Sequence, residues 1–244
     1  MTQAPMPNAQ RGPLRRFVAA RLDRTSYLGL HLTLGLLALV LALWAFGALL
    51  GEILENQGLV RWDQATSARI HEAMTPGLTR AALLLTNVAS PEGMIVLGLC
   101  AMLLLWRKHR LLAHTWIAAA IGGEILNAVV KSAVHRTRPT YGAGYLHLSS
   151  YSFPSGHAMA ATIGFGMLAY VLHQLRPRPA VIVAAYTGAL LLVAMVCATR
   201  VYLGVHYPSD VLGGFLAGAA WLAVCVTGAG IASHRRATPT TPTT

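Results

Sequence analysis

Three short polar strings interrupt a very apolar chain, and they contain the residue types that can carry out chemistry on a phosphoryl group. They lie at residues 131–139, 154–157 and 200–210. Their side chains include cations, imidazoles and one carboxylate, in a chain that has few charges elsewhere. Cations bind phosphate oxygens, and imidazoles transfer protons or attack phosphorus. The strings therefore predict a site that binds a phosphoryl group and transfers it.

The first and third strings supply the cations. Arginine offers a planar fork that matches phosphate oxygens, whereas lysine supplies a point charge. Lys131, Arg138 and Arg200 fit this need. The spacing of seven would place Lys131 and Arg138 on nearly one helix face, about 10 Å apart along the axis, although Pro139 disfavours helix at Arg138. We expect these side chains to converge on one anion.

The second string is typical of the start of a helix. Ser155 is a good N-cap, and Gly156 allows the backbone to approach an anion closely. The first N–H groups of a helix point at such an anion. Ser155 and Gly156 are therefore predicted to help hold the phosphate.

Two histidines and an aspartate have the chemistry of covalent phosphoryl transfer. Pro208 favours a helix start, which puts Asp210 in the first turn, where it can reach back to His206. A carboxylate on one imidazole nitrogen fixes the tautomer, leaves the other nitrogen free to attack and stabilises the cation formed afterward. His157, at the other helix start, could protonate the leaving oxygen and later activate water.

The three strings resemble the signature of the type 2 phosphatidic acid phosphatase family. That signature has a lysine followed after six residues by Arg-Pro, then Pro-Ser-Gly-His, then Ser-Arg with a histidine six residues on and an aspartate four further. Thr199 stands where the pattern has serine, and it keeps the hydroxyl. The resemblance implies that His206 is the nucleophile that becomes phosphohistidine, that Asp210 orients it and that His157 is the general acid and base. It also implies that no metal or other cofactor is needed and that five residues hold phosphate: Lys131, Arg138, Ser155, Gly156 and Arg200.

The composition is that of a membrane protein. Of the 244 residues, 55% are hydrophobic and only 11% are charged, a balance that a soluble domain of this size would struggle to keep in solution. The net charge of +11 is dispersed between apolar runs, so a nucleic-acid partner is not expected. The three cysteines lie in apolar stretches without the spacing of a disulfide framework or a metal cluster, and we interpret them as packing residues.

Six runs are long and apolar enough to be candidate membrane spans, since about 20 helical residues cross the hydrocarbon. We place them near residues 27–50, 83–106, 111–133, 157–174, 179–199 and 210–232. Within the second, Ser90 and Pro91 read as an N-cap and a first-turn proline, which indicates that a helix restarts there. Residues 61–74 mix charges with apolar side chains and predict a short interfacial helix.

The distribution of cations predicts the orientation. Twelve of the nineteen Lys and Arg residues lie in the two terminal segments and the loops on their side, and three of the other seven are the cations of the signature, Lys131, Arg138 and Arg200. The positive-inside rule then places both termini in the cytoplasm and the strings at the outer, periplasmic face of the inner membrane. The predicted domains are a basic cytoplasmic segment at 1–26, a six-span phosphatase domain at 27–233 and a disordered tail at 234–244.

Several polar or small residues near the strings have structural interpretations. Glu124 and Asn127 share a helix face with Lys131, and we expect polar contacts within the bundle. Gly214 and Gly218 form a small-xxx-small pair that favours helix packing within the bundle over a dimer interface. Three residues beside the strings are expected only to face water: His135, Arg136 and His147.

The sequence thus predicts an all-α membrane bundle of six transmembrane helices with a short interfacial helix. Its predicted activity is hydrolysis of a lipid phosphate or diphosphate, for which undecaprenyl diphosphate, phosphatidylglycerol phosphate, phosphatidic acid and a phosphorylated lipid A are all candidates. A phosphotransferase to an acceptor other than water is the nearest variant. The alternative from another class is a carrier or receptor of phosphate-bearing anions, which would explain the cations but not the two histidines and the aspartate.

Overall fold

The chain folds into α-helices, as predicted. The computed structural model describes residues 30–55, 58–141, 150–175 and 178–237, and these contain eight helices and no β-strand. The predicted basic segment at 1–26 lies outside the described residues. The helices are α1 (Leu30–Leu54), α2 (Gly58–Glu72), α3 (Pro76–Val88), α4 (Pro91–Leu105), α5 (Arg110–Val134), α6 (Gly156–Gln174), α7 (Pro179–Tyr202) and α8 (Pro208–Ala237).

Helix starts follow the capping signals in the sequence. The side chains of Thr75, Ser90 and Ser155 each accept a hydrogen bond from a backbone N–H of the first turn of α3, α4 and α6. Proline, whose missing N–H costs nothing in a first turn, opens α3, α4, α7 and α8. The predicted restart at Ser90 is therefore confirmed. It divides the second predicted span into two helices, α3 and α4, bent by 43° at their junction.

The prediction of six spans is not confirmed as a count. Among the described residues, α1, α5, α7 and α8 are long and apolar enough to cross a membrane, and the bent α3–α4 pair would be a fifth. The segment predicted as a span at 157–174 forms α6, which does not pass that test. The reason is its position: α6 packs against α4, α5, α7 and α8, so its side chains face protein more than lipid.

Close contact between α6 and α8 depends on two glycines. A Cβ on Gly214 would lie 2.4 Å from the backbone oxygen of Ser155, and one on Gly218 would lie 3.0 Å from Cβ of Thr162. Side chains at these positions would force the helices apart. The small pair therefore packs inside the bundle, as predicted.

Helix α2 confirms a helix at the predicted interfacial segment but is more than a surface element. It spans Gly58–Glu72 and buries Asp63 and Ser67. It contacts α1, α7 and α8. At the other end of the chain, α8 continues to Ala237, past the predicted boundary at 233, and the rest of the predicted tail lies outside the described residues.

Candidate active site

The ends of four helices meet at the candidate site. Lys131 lies in the last turn of α5, Gly156 and His157 begin α6, Arg200 lies in the last turn of α7, and Asp210 lies in the first turn of α8. The predicted meeting of the three strings is therefore seen in the structure. A backbone hydrogen bond of 2.9 Å from the N–H of Ser155 to the carbonyl of Asp210 joins the start of α6 to the start of α8.

Lys131 and Arg138 converge as expected, although they do not share a helix face. Lys131 Nζ donates to the carbonyl of Tyr151 at 2.9 Å. Arg138 Nη2 donates to the same carbonyl at 3.2 Å and to Ser150 Oγ at 3.1 Å. Helix α5 ends at His135, which has the left-handed φ of 52°, so Arg138 lies outside the helix and is turned toward the site.

The imidazole of His206 has a different neighbour at each nitrogen. Its Nδ1 lies 3.5 Å from Oδ2 of Asp210, and its Nε2 lies 3.0 Å from Nη1 of Arg138. Because a guanidinium only donates hydrogen bonds, Nε2 must present its lone pair to Arg138. The ring is then neutral, with its proton on Nδ1 toward Asp210. Burial lowers the pKa of His206 to about 4, an effect that the Asp210 carboxylate partly opposes, so the neutral ring is favoured near pH 7.

A fixed loop presents His206 to the site. Gly204 has a φ of 65°, a left-handed backbone conformation that residues other than glycine rarely adopt. This conformation lets the chain turn between α7 and α8. The N–H of Val205 donates to the carbonyl of Arg200 at 3.3 Å. The carbonyl of Val205 accepts from Arg138 at 2.8 Å. The loop that carries His206 is thus tied both to the end of α7 and to the first polar string.

Asp210 is fully buried and held by several donors. Its Oδ2 accepts from the N–H of Tyr207 at 2.8 Å and from the hydroxyl of Ser152. Its Oδ1 accepts from Arg136 at 2.6 Å. A carboxylate held in this way keeps a fixed position beside the His206 ring.

Arg200 is a buried cation with an incomplete set of partners. It is 1% exposed, and its Nη1 donates to Thr86 Oγ1 at 2.9 Å. Its Nε has no hydrogen-bond partner among the described residues, and no ion pair involving Arg200 is found there. A buried guanidinium without a carboxylate is costly unless an anion joins it. This arrangement fits an oxyanion ligand.

His157 lies at the start of α6, half-buried and within electrostatic range of the other site residues. Its ring makes no hydrogen bond in the part of the chain that the structure describes. Gly156 and His157 are the first two residues of α6, so their N–H groups have no acceptor within the helix. Such N–H groups are suited to an anion, whereas the N–H of Ser155 is already bonded to the carbonyl of Asp210. The role of Ser155 and Gly156 in holding phosphate stays a prediction.

Some of the structural interpretations from the sequence are correct and others are wrong. Asn127 lies within the bundle, where it donates to the carbonyl of Pro154 at 3.4 Å. Glu124 is instead exposed, at the edge of a cavity of about 240 Å³ between α4, α5 and α6. Thr199, which replaces the serine of the signature, donates within its own helix to the carbonyl of Val196 at 2.7 Å. The Thr199 hydroxyl therefore does not point at the phosphate site.

Sequence reasoning missed Arg136 and Asp63. Arg136 was expected only to face water, but it lies between two buried carboxylates, at 2.6 Å from Asp210 and 2.7 Å from Asp63. The signal for Asp63 was weak: with Ser67 and Ile70 it follows the helical spacing of one face, in a helix that mixes charged, polar and apolar side chains. No local pattern linked that face to Arg136 and Ser209, which lie 73 and 146 positions away in the chain.

Known proteins were compared with the chain and with its structure. The model of the PAP2 superfamily matches residues 111–230. Phosphatidylglycerophosphatase B of Bacillus subtilis is 40% identical over 100 residues, which cover 39% of this chain and 47% of the Bacillus protein. The aligned part of the chain thus spans about half the length of that relative. Decaprenylphosphoryl-5-phosphoribose phosphatase of Mycobacterium tuberculosis is 32% identical over 171 residues, 65% of this chain and 86% of that protein.

The fold also matches a solved structure. The crystal structure of a transmembrane PAP2 type phosphatidylglycerolphosphate phosphatase from Bacillus subtilis superimposes with a TM-score of 0.70 at 25% sequence identity. The superposition covers 83% of this chain and 98% of that one. The similarity therefore extends well beyond the segment that the family model matches.

Proposed function

Because this chain belongs to the PAP2 superfamily, we propose that it is a membrane phosphatase that hydrolyses a lipid phosphate or diphosphate through a phosphohistidine. The observation that carries the proposal is the placement of the His206 ring between a carboxylate and a cation. One of its nitrogens faces the buried Asp210 and the other faces the cations of the site. A site that only bound anions would have no use for a neutral imidazole oriented in this way.

In the first step, Nε2 of His206 attacks phosphorus. An N–P bond forms, the bond from phosphorus to the leaving oxygen breaks, and that oxygen takes a proton from His157. His157 enters this step as an imidazolium, which the negative charge of the bound phosphate favours. The imidazole becomes positively charged, and Asp210 on the other side of the ring stabilises that charge. Arg138, whose Nη1 lies 3.0 Å from Nε2, moves this hydrogen bond to a phosphate oxygen.

In the second step, water attacks the phosphohistidine. His157 takes a proton from the water, an O–P bond forms, and the N–P bond breaks to return the electron pair to Nε2. Inorganic phosphate leaves, and both histidines return to their starting protonation states. The proposed phosphate ligands are the three cations and the start of α6: Lys131, Arg138, Arg200, Ser155 and Gly156.

The lipid nature of the substrate follows from where the site lies. The site is formed at the ends of helices, several of which are apolar enough to span a bilayer, so a lipid headgroup can reach it from the membrane plane. The excess of Lys and Arg in the terminal segments and the loops on their side supports an orientation with both termini cytoplasmic. The site then faces the periplasm from the inner membrane.

The test is release of inorganic phosphate by purified protein in detergent. The panel contains phosphatidylglycerol phosphate, undecaprenyl diphosphate, phosphatidic acid and a phosphorylated lipid A, each assayed with excess chelator because the proposed mechanism draws its positive charge from side chains. We expect release from at least one lipid, and none with His206→Ala. His109→Ala is the matched control, since His109 is exposed and caps α5 without a side-chain hydrogen bond.

Three outcomes would contradict the proposal. Phosphate release by His206→Ala at the wild-type rate would show that His206 is not the nucleophile. Binding of the lipids without release by the unsubstituted protein would favour the carrier. Activity that is lost in chelator and restored by magnesium would indicate a metal-assisted reaction.

A further inference from the structure

A buried network of charges joins α2 to Asp210, the carboxylate beside His206. Two of its members, Asp63 and Arg136, are not among the fixed positions of the family signature. Asp63 in α2 and Asp210 in α8 are both fully buried, and Arg136 lies between them. Arg136 Nη2 donates to Asp63 Oδ2 at 2.7 Å, and its Nη1 donates to Asp210 Oδ1 at 2.6 Å. The same guanidinium lies 4.5 Å from the ring centroid of Tyr207, which fixes its plane.

Every hydrogen bond that Asp63 makes among the described residues goes to this network. Besides Arg136, it accepts from the N–H of Ser209 at 3.1 Å and from the Ser209 hydroxyl. Ser209 is the residue next to Asp210, and its hydroxyl also lies 2.7 Å from Arg136 Nη1. Asp63 thus holds both the arginine that binds Asp210 and the turn of backbone that carries Asp210.

The charges of the network decide how much negative charge Asp210 keeps. A guanidinium paired with Asp210 alone would neutralise that carboxylate, and a neutralised carboxylate stabilises an imidazolium poorly. With Asp63 on its other side, Arg136 shares its charge between two carboxylates. The group of three then carries one net negative charge, next to a ring that becomes positive when it bonds to phosphorus.

We propose that Asp63 and Arg136 are positioning residues for the reaction. Arg136 fixes the Asp210 carboxylate, and Asp63 balances the arginine so that Asp210 stays negative beside the imidazolium that forms on His206. The inference rests on the proposed function. It adds α2, which lies outside the family signature, to the machinery of the site.

The test compares single and double variants in the phosphate-release assay. Asp63→Asn removes the balancing charge and should lower kcat by about 10–100-fold with little change in KM, by analogy with the loss of a partner that orients a metal ligand. Asp63→Asn combined with Arg136→Gln removes both charges and leaves Asp210 negative. The double variant should therefore be more active than Asp63→Asn alone, although it has lost more contacts.

Ser67→Ala is the matched control. Ser67 lies one turn further along α2, is 2% exposed and carries no charge, so this substitution alters the same buried face without altering the network. We expect wild-type kcat and KM from it. Thermal unfolding of each variant separates loss of fold from loss of turnover.

The outcomes distinguish this inference from the proposed function. If Asp63 only anchors α2, the double variant will be less active than either single variant, and the charge-balance role is wrong. If Asp63→Asn does not fold, the double variant is compared with Arg136→Gln, which leaves two unpaired carboxylates. A double variant that is no more active than Arg136→Gln overturns the inference. Wild-type kcat in a folded Asp63→Asn also overturns it. An absence of phosphate release by the unsubstituted protein would instead defeat the proposed function.

Discussion

The environment of His206 changes its proton affinity as well as its orientation. The side chain is 2% exposed, and a charged imidazolium in that position would lose most of its hydration. The Asp210 carboxylate, 3.5 Å from Nδ1, recovers only part of that loss. The consequence is a ring that stays neutral at physiological pH. In the proposed reaction it becomes charged only when it bonds to phosphorus.

The lowered pKa of His206 predicts a pH dependence of stability. The unfolded chain binds a proton on this residue below its ordinary pKa of 6.5, whereas the folded protein does not until about pH 4. The free energy of unfolding should therefore fall as the pH falls from 6.5 to 4. Thermal unfolding in detergent at pH 7 and pH 4.5 measures this, with His206→Asn as the comparison. We expect a smaller drop in Tm for the variant; an equal drop would mean that His206 is not buried in its neutral form.

The proposed acid role of His157 predicts a dependence on the leaving group. Without a proton donor, departure of a poor alkoxide should slow by about 10²–10⁴-fold, the usual range for general acid catalysis. A nitrophenolate needs little protonation, so the same variant should cleave a nitrophenyl phosphate with a much smaller loss. The measurement is kcat of His157→Ala on both substrates, and a diphosphate lipid should fall between them. Equal losses on all three would assign His157 to binding instead.

At the scale of the helices, α6 and α8 form the contact on which the site depends. They approach so closely at Gly214 that a Cβ there would meet a backbone atom, which cannot rotate away as a side chain can. His157 and Asp210 lie at the adjoining ends of these two helices. The packing of α8 on α6 therefore sets the distance between the two halves of the proposed reaction.

This contact predicts different effects for two glycines of α8. Gly214→Ala should destabilise the protein by about 1–3 kcal/mol, the usual cost of overpacking, and should lower activity as α6 and α8 separate. Gly228→Ala is the control, because a Cβ at Gly228 meets nothing within 4 Å and alanine favours helix. Its Tm should equal or exceed that of the wild type. The Tm and phosphate release of both variants check this, and equal Tm values for the two would contradict the close contact.

The sequence predicts well the features that local patterns encode. Caps and first-turn prolines locate the starts of α4, α6 and α8. The convergence of Lys131 and Arg138 is also predicted, but Arg138 reaches the site from beyond the end of α5 and not along a shared helix face. Features that depend on distant parts of the chain are not visible in such patterns. Thr86 contacts Arg200 across 114 positions, and Asp63 contacts Ser209 across 146. The contacts of α6 illustrate the same limit, because a helix enclosed by other helices needs less apolarity than a helix that faces lipid.

At the scale of the whole molecule, the proposed orientation can be tested by labelling. In a variant whose three cysteines are replaced, Thr140→Cys places a thiol at the exposed end of the first polar string, and Lys108→Cys places one between α4 and α5. In intact cells, an impermeant thiol reagent should label the first and not the second. Both should react after the membrane is opened. The reverse pattern in intact cells would place the site in the cytoplasm.

The contact between α6 and α8 also bears on how the protein responds to bilayer thickness. Membranes that are too thick or too thin for a protein tilt or shift its helices, at a modest cost for each ångström of mismatch. Helices held together through glycine backbone resist such sliding. We therefore expect kcat to stay constant, within about twofold, in vesicles whose acyl chains differ by four carbons. The distance between His157 and His206 would then be a property of the protein and not of the membrane that surrounds it.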